Sequence, residues 1–472
     1  MNTKQIRQTI LDLAIRGELV PQDPTDEPAS VLLKRIRAEK EQLIKDKKLK
    51  RDKKESEPID EVPFELPEGW EWCRLKEITT ELKYGTSEKS SLEGKIPVLR
   101  MGNITTNGTI DYSNIVFSSN EEDIKEFLLT KGNLVFNRTN SSDLVGKTAI
   151  YRGEIPAIFA GYLIKIALLK VNPEYTNLVM NSSYYRKWCY SVKSDAVNQS
   201  NINAEKLSNL LISLPPLAEQ HRIVQKIEQP FTLVDTIENL KEQLKSDVKR
   251  AKNQVLNYAI AGKLTHQDPN DEPAEALLKR IGKTTTTATD TPYEKLPKGW
   301  AWCRLGDIGT INPKNKLNDE LDVSFIPMPL ISDGFSNVHT SEVKKWENIK
   351  KGYTHFCNED IGIAKITPCF ENRKSVIFNN LKNGVGAGTT ELYILRNNKT
   401  LSFNKYIFWF IKTQEFINNG IKAFTGAVGQ QRISRDFIEN TLIPLPPLAE
   451  QYRIVQKIET YFSFLDTIES NL

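Results

Sequence analysis

Apolar positions at Ile6, Ile10, Leu13 and Ala14 recur at helical spacing, so residues 1–17 read as a helix with Gly17 in the C-capping position. Asp23 to Pro28 is a turn-rich bend, and a second helix starts over Pro28 to Arg37. The pattern then turns polar. Lys34 to Lys54 is dense in Lys and Arg with interspersed acids, the mark of a solvated helix or linker, with a phosphate-contacting arm as the sharper alternative. Beyond residue 66, short apolar runs bounded by turn residues replace the helical period. Ile96–Met101, Ile115–Phe117, Asn133–Phe136, Thr148–Tyr151 and Leu163–Leu169 predict strands, and Asn177–Tyr190 predicts a helix. After Pro215-Pro216, the seam Ile223, Ile227, Val234, Ile237, Leu244, Val248, Ala251, Val255 predicts one long helix. Pro230 is expected to kink that helix or split it in two. The textures then return: strands near Val323–Met328, Ile361–Ile366, Ser375–Phe378 and Leu392–Leu395, a helix from Asn404 to Asn419, and a seam at Ile454, Ile458, Leu465 and Ile468.

The return is a repeat at the level of letters. LPPLAEQHRIVQKIE (Leu214–Glu228) recurs as LPPLAEQYRIVQKIE (Leu445–Glu459), with 14 of 15 positions identical. Leu11–Ile36 recurs as Leu256–Ile281, and LPEGWEWCRL (Leu66–Leu75) as LPKGWAWCRL (Leu296–Leu305). Residues 76–211 and 306–442 share little. The first long helix runs on into the Leu256 block, whereas its copy stops at Leu472 and finds its continuation at the N-terminus. The chain therefore reads as a cyclic two-fold repeat opened inside one helix, with residues 1–17 completing the helix that begins near Leu448 and the termini close together.

The expected fold is α+β: two mixed, β-rich globular domains separated by two long helices that pair as an antiparallel coiled coil in a cyclic pseudo-two-fold repeat. Residues 1–61 form an N-terminal segment that completes the distal helix and adds the charged linker. Residues 62–213 form the first domain, 214–291 the central helix and linker, 292–443 the second domain, and 444–472 the distal helix. In the second copy, Gly282–Thr291 replaces the charged linker and is shorter by 15 residues, so the linker is not expected to carry the shared function.

Composition narrows the class only a little. Charged residues make up 26% and hydrophobic ones 39%, as in ordinary soluble domains. No apolar run reaches membrane-spanning length, and MNTKQIRQTILDL lacks the apolar core of a signal peptide. Five cysteines without C-x-x-C fit a reducing cytoplasm. The net charge of +4 permits nucleic acid without arguing for it.

Catalytic signatures are missing. SSDLVGKT (Ser141–Thr148) has Ser where a P-loop needs Gly, and reads as a hairpin turn with Gly146 at an unusual dihedral. GVGAG (Gly384–Gly388) lacks dinucleotide-loop spacing and reads as a tight turn. The histidines His221, His266, His339 and His355 are scattered without metal-ligand spacing, and no metal site is expected. No nucleophile–base pattern and no Asn/Asp-Pro-Pro-aromatic signature of amino-methyltransferases is present. Trp70, Trp72, Cys73 and their copies Trp300, Trp302, Cys303 read as core. What remains is polar and basic decoration in the divergent domains. Arg100, Asn103, Arg138, Asn140 and Lys147 lie between strands of the first. Lys365, Thr367, Arg373, Lys374 and Thr389 do so in the second. Just before each long helix come DAVNQSNIN (Asp195–Asn203) and GAVGQQRIS (Gly426–Ser434), matched in position but changed in side chain. Gln and Asn suit adenine, and Arg suits guanine.

The paired LPPLAEQ-x-RIVQKIE helices, the LP-x-GW-x-WCRL domain starts, FNRTNSSDLVGKTA (Phe136–Ala149) and ITPCFENRK…GAGTTE (Ile366–Glu391) resemble the specificity subunit of type I restriction–modification enzymes. The resemblance covers essentially the whole chain. It implies a non-catalytic subunit with two target recognition domains, each reading half of an asymmetric, gapped DNA sequence. It also implies two methyltransferase subunits that hold S-adenosylmethionine, and restriction–translocase subunits that use ATP and Mg²⁺. DNA contact is then expected from Arg100, Asn103, Arg138, Asn140, Lys147, Asn198, Gln199 and Asn201 in the first domain. The second would contribute Lys365, Thr367, Arg373, Lys374, Thr389, Gln430, Gln431 and Arg432. Leu217, Ile223, Ile227, Leu448, Ile454 and Ile458 should form scaffold seams, with Glu219, Gln220, Glu450 and Gln451 near the partner-facing edge. Two other classes compete: a coiled-coil scaffold joining two protein-binding domains without DNA, which would show no salt-dependent DNA affinity, and a fused methyltransferase–endonuclease, which the missing motifs disfavour.

Overall fold

A computed structural model describes residues 2–51, 58–197, 199–286, 295–400, 402–427 and 429–472. Met1, Lys53 and Lys54 of the basic stretch, Thr287 to Thr291 of the second linker, and Asn198 lie outside the described residues. The chain divides into two units, Met1–Leu240 and Lys241–Leu472. The boundary falls inside a single helix, Leu217–Ile260. Among the described residues no helix is long and apolar enough to cross a membrane.

In the first unit the strand Glu71–Arg74 pairs antiparallel with Leu211–Leu214, tying the start of the β-rich region to its end. Between them lies an antiparallel sheet in the order Thr79–Tyr84, Leu163–Leu168, Leu134–Asn137, Thr148–Ile150. Its two faces feed different cores. Leu134, Phe136, Ile164 and Ile166 face the helices. Val135, Ala149 and Leu163 face a smaller cluster with Leu99 and Phe159. Burial on both faces explains why these strands read as continuous apolar runs rather than as alternation. A second sheet sets Ile96–Leu99 between Val116–Ser118 and the parallel strand Ile158–Phe159.

The second unit repeats the plan. Ala301–Arg304 pairs with Leu442–Leu445. One sheet runs Gly309–Ile311, Leu392–Asn397, Ile361–Ala364, Ser375–Ile377, and the other Glu342–Lys345, Asp322–Ile326, Val385–Gly388, Thr354–Cys357. GVGAG is therefore a turn only at Gly384 (φ +72°), and the rest is an inner strand. Its glycines are packing residues: a Cβ on Gly386 would lie 2.5 Å from the Phe356 ring, and one on Gly388 2.3 Å from the Ile326 carbonyl oxygen. The SSDLVGKT stretch is a turn, with Gly146 at φ +86°.

Each predicted domain helix is two helices. Pro173–Val179 and Ser183–Val192 are separated where the Ser182 hydroxyl caps the Tyr185 N–H. Asn404–Ile411 and Gln414–Lys422 are separated where Thr413 caps Phe416. Such caps offer the backbone an exit from the helix that apolar periodicity does not register.

The helix Thr3–Ile15 ends at Arg16, with Gly17 following at φ +73°. It runs antiparallel to Leu217–Leu240: Arg7 pairs with Asp235 and stacks on Phe231, while Gln22, beyond the turn, reaches Glu219. In the second unit Lys252 pairs with Asp466 (2.6 Å) and Glu469 (2.8 Å), and Gln267 reaches Glu450. Pro230 does not split the long helix. The neighbouring turns bury Ile227 and Val234, and Thr232 donates to the Glu228 carbonyl, so packing outweighs the one backbone bond that proline removes. Of the predicted seams, Ile223, Ile227, Val234, Val248, Ile454 and Ile458 are buried, whereas Leu244 and Ile468 are exposed and Phe462 is buried instead.

Candidate nucleic-acid interface

In the first domain the FNRTN stretch and the DAVNQSNIN hairpin meet. Thr139–Asn140 pairs with Gln199–Asn201, which pairs with Ser194–Ala196, in one three-stranded sheet. Asn140, Gln199 and Asn201 thus share one small sheet. Gln199 is exposed, and the Asn201 amide donates to the Thr139 hydroxyl at 2.7 Å. Arg138 is clamped by its backbone, donating to the Tyr162 carbonyl at 3.0 Å and accepting from the Ile202 N–H at 2.9 Å. Its guanidinium lies 4.8 Å from the centre of the Tyr84 ring. Arg138 and Arg100 line one groove of about 1020 Å³ with Lys89 and Tyr162. Lys147 sits behind it, donating to the Met101 carbonyl at 3.2 Å, and burial lowers its pKa.

The second domain builds the same crossing from different side chains. Lys365 donates its N–H to the Glu391 carbonyl and accepts from the Ile433 N–H, each at 3.0 Å. The Thr367 N–H donates to the Gln431 carbonyl at 2.9 Å, and its hydroxyl to Glu371 at 2.7 Å. Arg432 forks onto Glu391 at 2.9 and 3.0 Å. The Thr389 hydroxyl accepts the Glu391 N–H, and Gln430 is exposed beside Arg432. Lys374 mirrors Lys147, donating to the Met328 carbonyl at 3.2 Å.

Both clusters stand on one frame. In the first unit the Glu219 carboxylate accepts from the Trp70 indole (3.0 Å) and from Gln22 (3.2 Å), while Gln220 accepts the Asn172 N–H (2.8 Å) and donates to the Pro215 carbonyl (2.9 Å). In the second, Glu450 accepts from Trp300 (2.9 Å), Gln267 (3.0 Å) and Thr265 (3.3 Å). Gln451 accepts the Phe403 N–H (2.8 Å) and donates to the Pro446 carbonyl (3.0 Å). Burial raises the pKa of both carboxyls, opposed by these donors.

Residues 67–246 and 297–472, which contain the Trp70–Glu219 and Trp300–Glu450 pairs, match the model of the type I restriction modification DNA specificity domain. The chain belongs to that family. The EcoAI type I restriction enzyme specificity subunit of Escherichia coli is 46% identical over 240 residues, covering 47% of this chain and 41% of that protein. The alignment with that relative thus spans about two-fifths of its length. A putative type I restriction enzyme MjaX specificity subunit of Methanocaldococcus jannaschii is 26% identical over 409 residues, 84% of this chain and 87% of that one. A chain from a solved structure on complex assembly and conformational transition of the type I R-M system shares the fold. It has a TM-score of 0.60 and 18% identity, and the match covers 87% of this chain and 94% of that one.

Within the two specificity domains, several predicted residues have other work. Asn103 is buried, its amide donating to the Asp111 and Asn114 carbonyls. Arg373 is buried against Phe335 and donates to the Lys412 carbonyl, Asn253 and Gln414, so it braces the domain against its own helix. Glu219, Gln220, Glu450 and Gln451 are buried frame residues, not edge residues, because each carboxylate is needed under its tryptophan. Asn198 lies outside the described residues. Tyr84, Tyr162 and Glu391 were missed. Each is made relevant by a partner in another segment of the chain, and although Glu391 ends the GAGTTE patch, its pairing with Arg432, 41 residues on, is not visible there.

Proposed function

We propose that this chain is the DNA sequence-specificity subunit of a type I restriction–modification complex, and that each domain reads one half of an asymmetric, gapped target. The observation that supports this most is the contrast between frame and decoration. The Trp–Glu–Gln frame is the same in both units, while the loop clusters differ at matched positions, Arg138 against Lys365 and Asn201 against Arg432, beside the shared Gln199/Gln430 and Lys147/Lys374. Equal frames offer equal docking surfaces to two copies of one methyltransferase subunit, and unequal clusters read unequal half-sites. Gln199, Gln430 and Gln431 suit adenine edges, and the guanidinium of Arg138 suits guanine.

In this reading the chain supplies address rather than catalysis. The methyltransferase subunits hold S-adenosylmethionine and modify adenine, while restriction subunits use ATP and Mg²⁺. The long helices set the gap, since half-sites on one DNA face repeat each turn, at about 34–36 Å. Neutralising DNA phosphates with basic side chains makes the affinity of such a reader fall steeply with salt.

The test is a methylation map. The chain is co-expressed with its neighbouring methyltransferase subunit in a host lacking other DNA methylation, and modified adenines are located at single-base resolution. One asymmetric gapped motif is expected, and exchange of residues 296–443 should change one half only. A continuous motif, or change in both halves, would refute the two-reader architecture.

A further inference from the structure

Two cations hold matched ground in the two domains, and their surroundings differ in one respect. Arg138 and Lys365 occupy the same crossing, each held by a backbone bond on either side. Near Lys365 the guanidinium of Arg432 is spent. Two of its nitrogens are on Glu391, and a third donates to the Gln430 carbonyl at 2.8 Å. In the first domain Tyr162 stands where Glu391 stands in the second, its carbonyl taking the equivalent N–H. Among the described residues Arg138 forms no ion pair, and its buried Nε donates to nothing.

The guanidinium is nevertheless not loose. It rests on the Tyr84 ring, and the Tyr84 hydroxyl is fixed by the Ala204 N–H at 3.0 Å. Tyr84 beneath it and Tyr162, which lines the same groove, are substantially exposed, at 39% and 53%. A planar fork held against a ring loses little freedom on binding. Its geometry matches the O6 and N7 acceptors that guanine presents in the major groove.

Resting on the reading of the chain as a specificity subunit, we infer that Arg138, seated on Tyr84, is the guanine-reading residue of the first domain. The half-site read by that domain contains a guanine whose O6 and N7 edge is required. The second domain reads its half without a free arginine at this crossing, because Glu391 withholds Arg432. Tyr84 is a positioning residue: it acts on the base through Arg138.

The experiment uses the full chain assembled with its methyltransferase subunit. Methylation motifs are mapped for the wild type, Arg138→Gln, Arg138→Lys and Tyr84→Leu. Exchange of residues 296–443 identifies the first-domain half as the one left unchanged. Binding is then measured to duplexes carrying 7-deazaguanine, which lacks N7, at the guanines of that half. The wild type should lose about tenfold in affinity on one such duplex. Arg138→Gln should lose about as much on normal DNA and nothing more on the modified duplex, with its preference relaxed at that base pair alone. Tyr84→Leu should shrink the 7-deazaguanine penalty while the second half-site stays as in the wild type. A first half without guanine, or a wild type indifferent to 7-deazaguanine, would overturn the assignment without any variant needing to fold. An Arg138→Gln complex as sensitive to 7-deazaguanine as the wild type would do the same. Absence of any gapped motif from the wild type would instead overturn the specificity-subunit reading on which the assignment rests.

Discussion

The hydrogen bond between Trp300 and Glu450 seats the distal helix under the second domain, and its strength can be isolated. The indole nitrogen lies 2.9 Å from the carboxylate, with Trp300 8% exposed and Glu450 fully buried. A hydrogen bond to a charged group contributes about 1.5–3 kcal/mol, and each buried donor left without a partner costs about 1–3 kcal/mol. Glu450→Ala strands the indole, leaves the Gln267 amide to the Gly262 and Thr265 carbonyls alone and removes the packed side chain, so a loss of about 3–5 kcal/mol is expected. Trp300→Phe removes one donor and leaves the carboxylate with two. The coupling energy of the double-mutant cycle should therefore be about 1.5–3 kcal/mol. Urea unfolding of the full chain, followed by far-ultraviolet circular dichroism, measures it. Trp70→Phe with Glu219→Ala should give the same coupling to within about 0.5 kcal/mol, because the 3.0 Å bond there has the same partners. Couplings below about 0.5 kcal/mol in both cycles would refute the claim that these bonds seat the helices.

Three further outcomes are expected. Pro230→Ala restores a backbone donor inside a continuous helix and should stabilise the chain by about 1–3 kcal/mol in the same urea assay; an unchanged midpoint would show that the proline is already accommodated. Gly386→Ala pushes a Cβ into the Phe356 ring and the Ser324 carbonyl, and should cost about 1–3 kcal/mol or more by thermal unfolding, whereas exposed Gly352→Ala, with nothing near its Cβ, should cost only its backbone strain. Lys412 is buried with four carbonyls around its ammonium, and burial, followed by the Arg373 charge, pulls its pKa down to about 7. From about pH 7 to about pH 10 the unfolded chain therefore binds a proton that the folded chain does not. The wild type should gain on Lys412→Met as pH rises, by up to about 1.4 kcal/mol per pH unit. A flat difference would mean that the carbonyls keep the ammonium charged throughout.

The repeat made the plan legible before any coordinates, because two copies of one frame mark each other's boundaries. Strand positions followed from apolar runs, since the central sheets are buried on both faces. The roles of polar residues were harder to read. Arg373 and Arg138 look alike in a sequence. One is a strut because Lys412 and Gln414, 39 and 41 residues away, fold back onto it. The other has no carboxylate partner among the described residues and rests on the Tyr84 ring instead. Glu219 and Glu450 were expected at an edge because they are charged and near a helix start. They are buried because each tryptophan needs an acceptor. GVGAG looked like a turn because glycine permits one, yet two of its glycines are there to make room for Phe356 and a neighbouring strand.

The closure of the first unit by its outermost pieces has a consequence for synthesis. Thr3–Ile15 leaves the ribosome before the rest of its unit, and Asp235 and Phe231, which receive Arg7, are translated more than two hundred residues later. The strand Glu71–Arg74 likewise waits for Leu211–Leu214. At about 5–20 residues per second, Arg7 stays without Asp235 and Phe231 for about 10–45 s. A nascent chain of this design acquires its first closed unit only after Leu240 has been made.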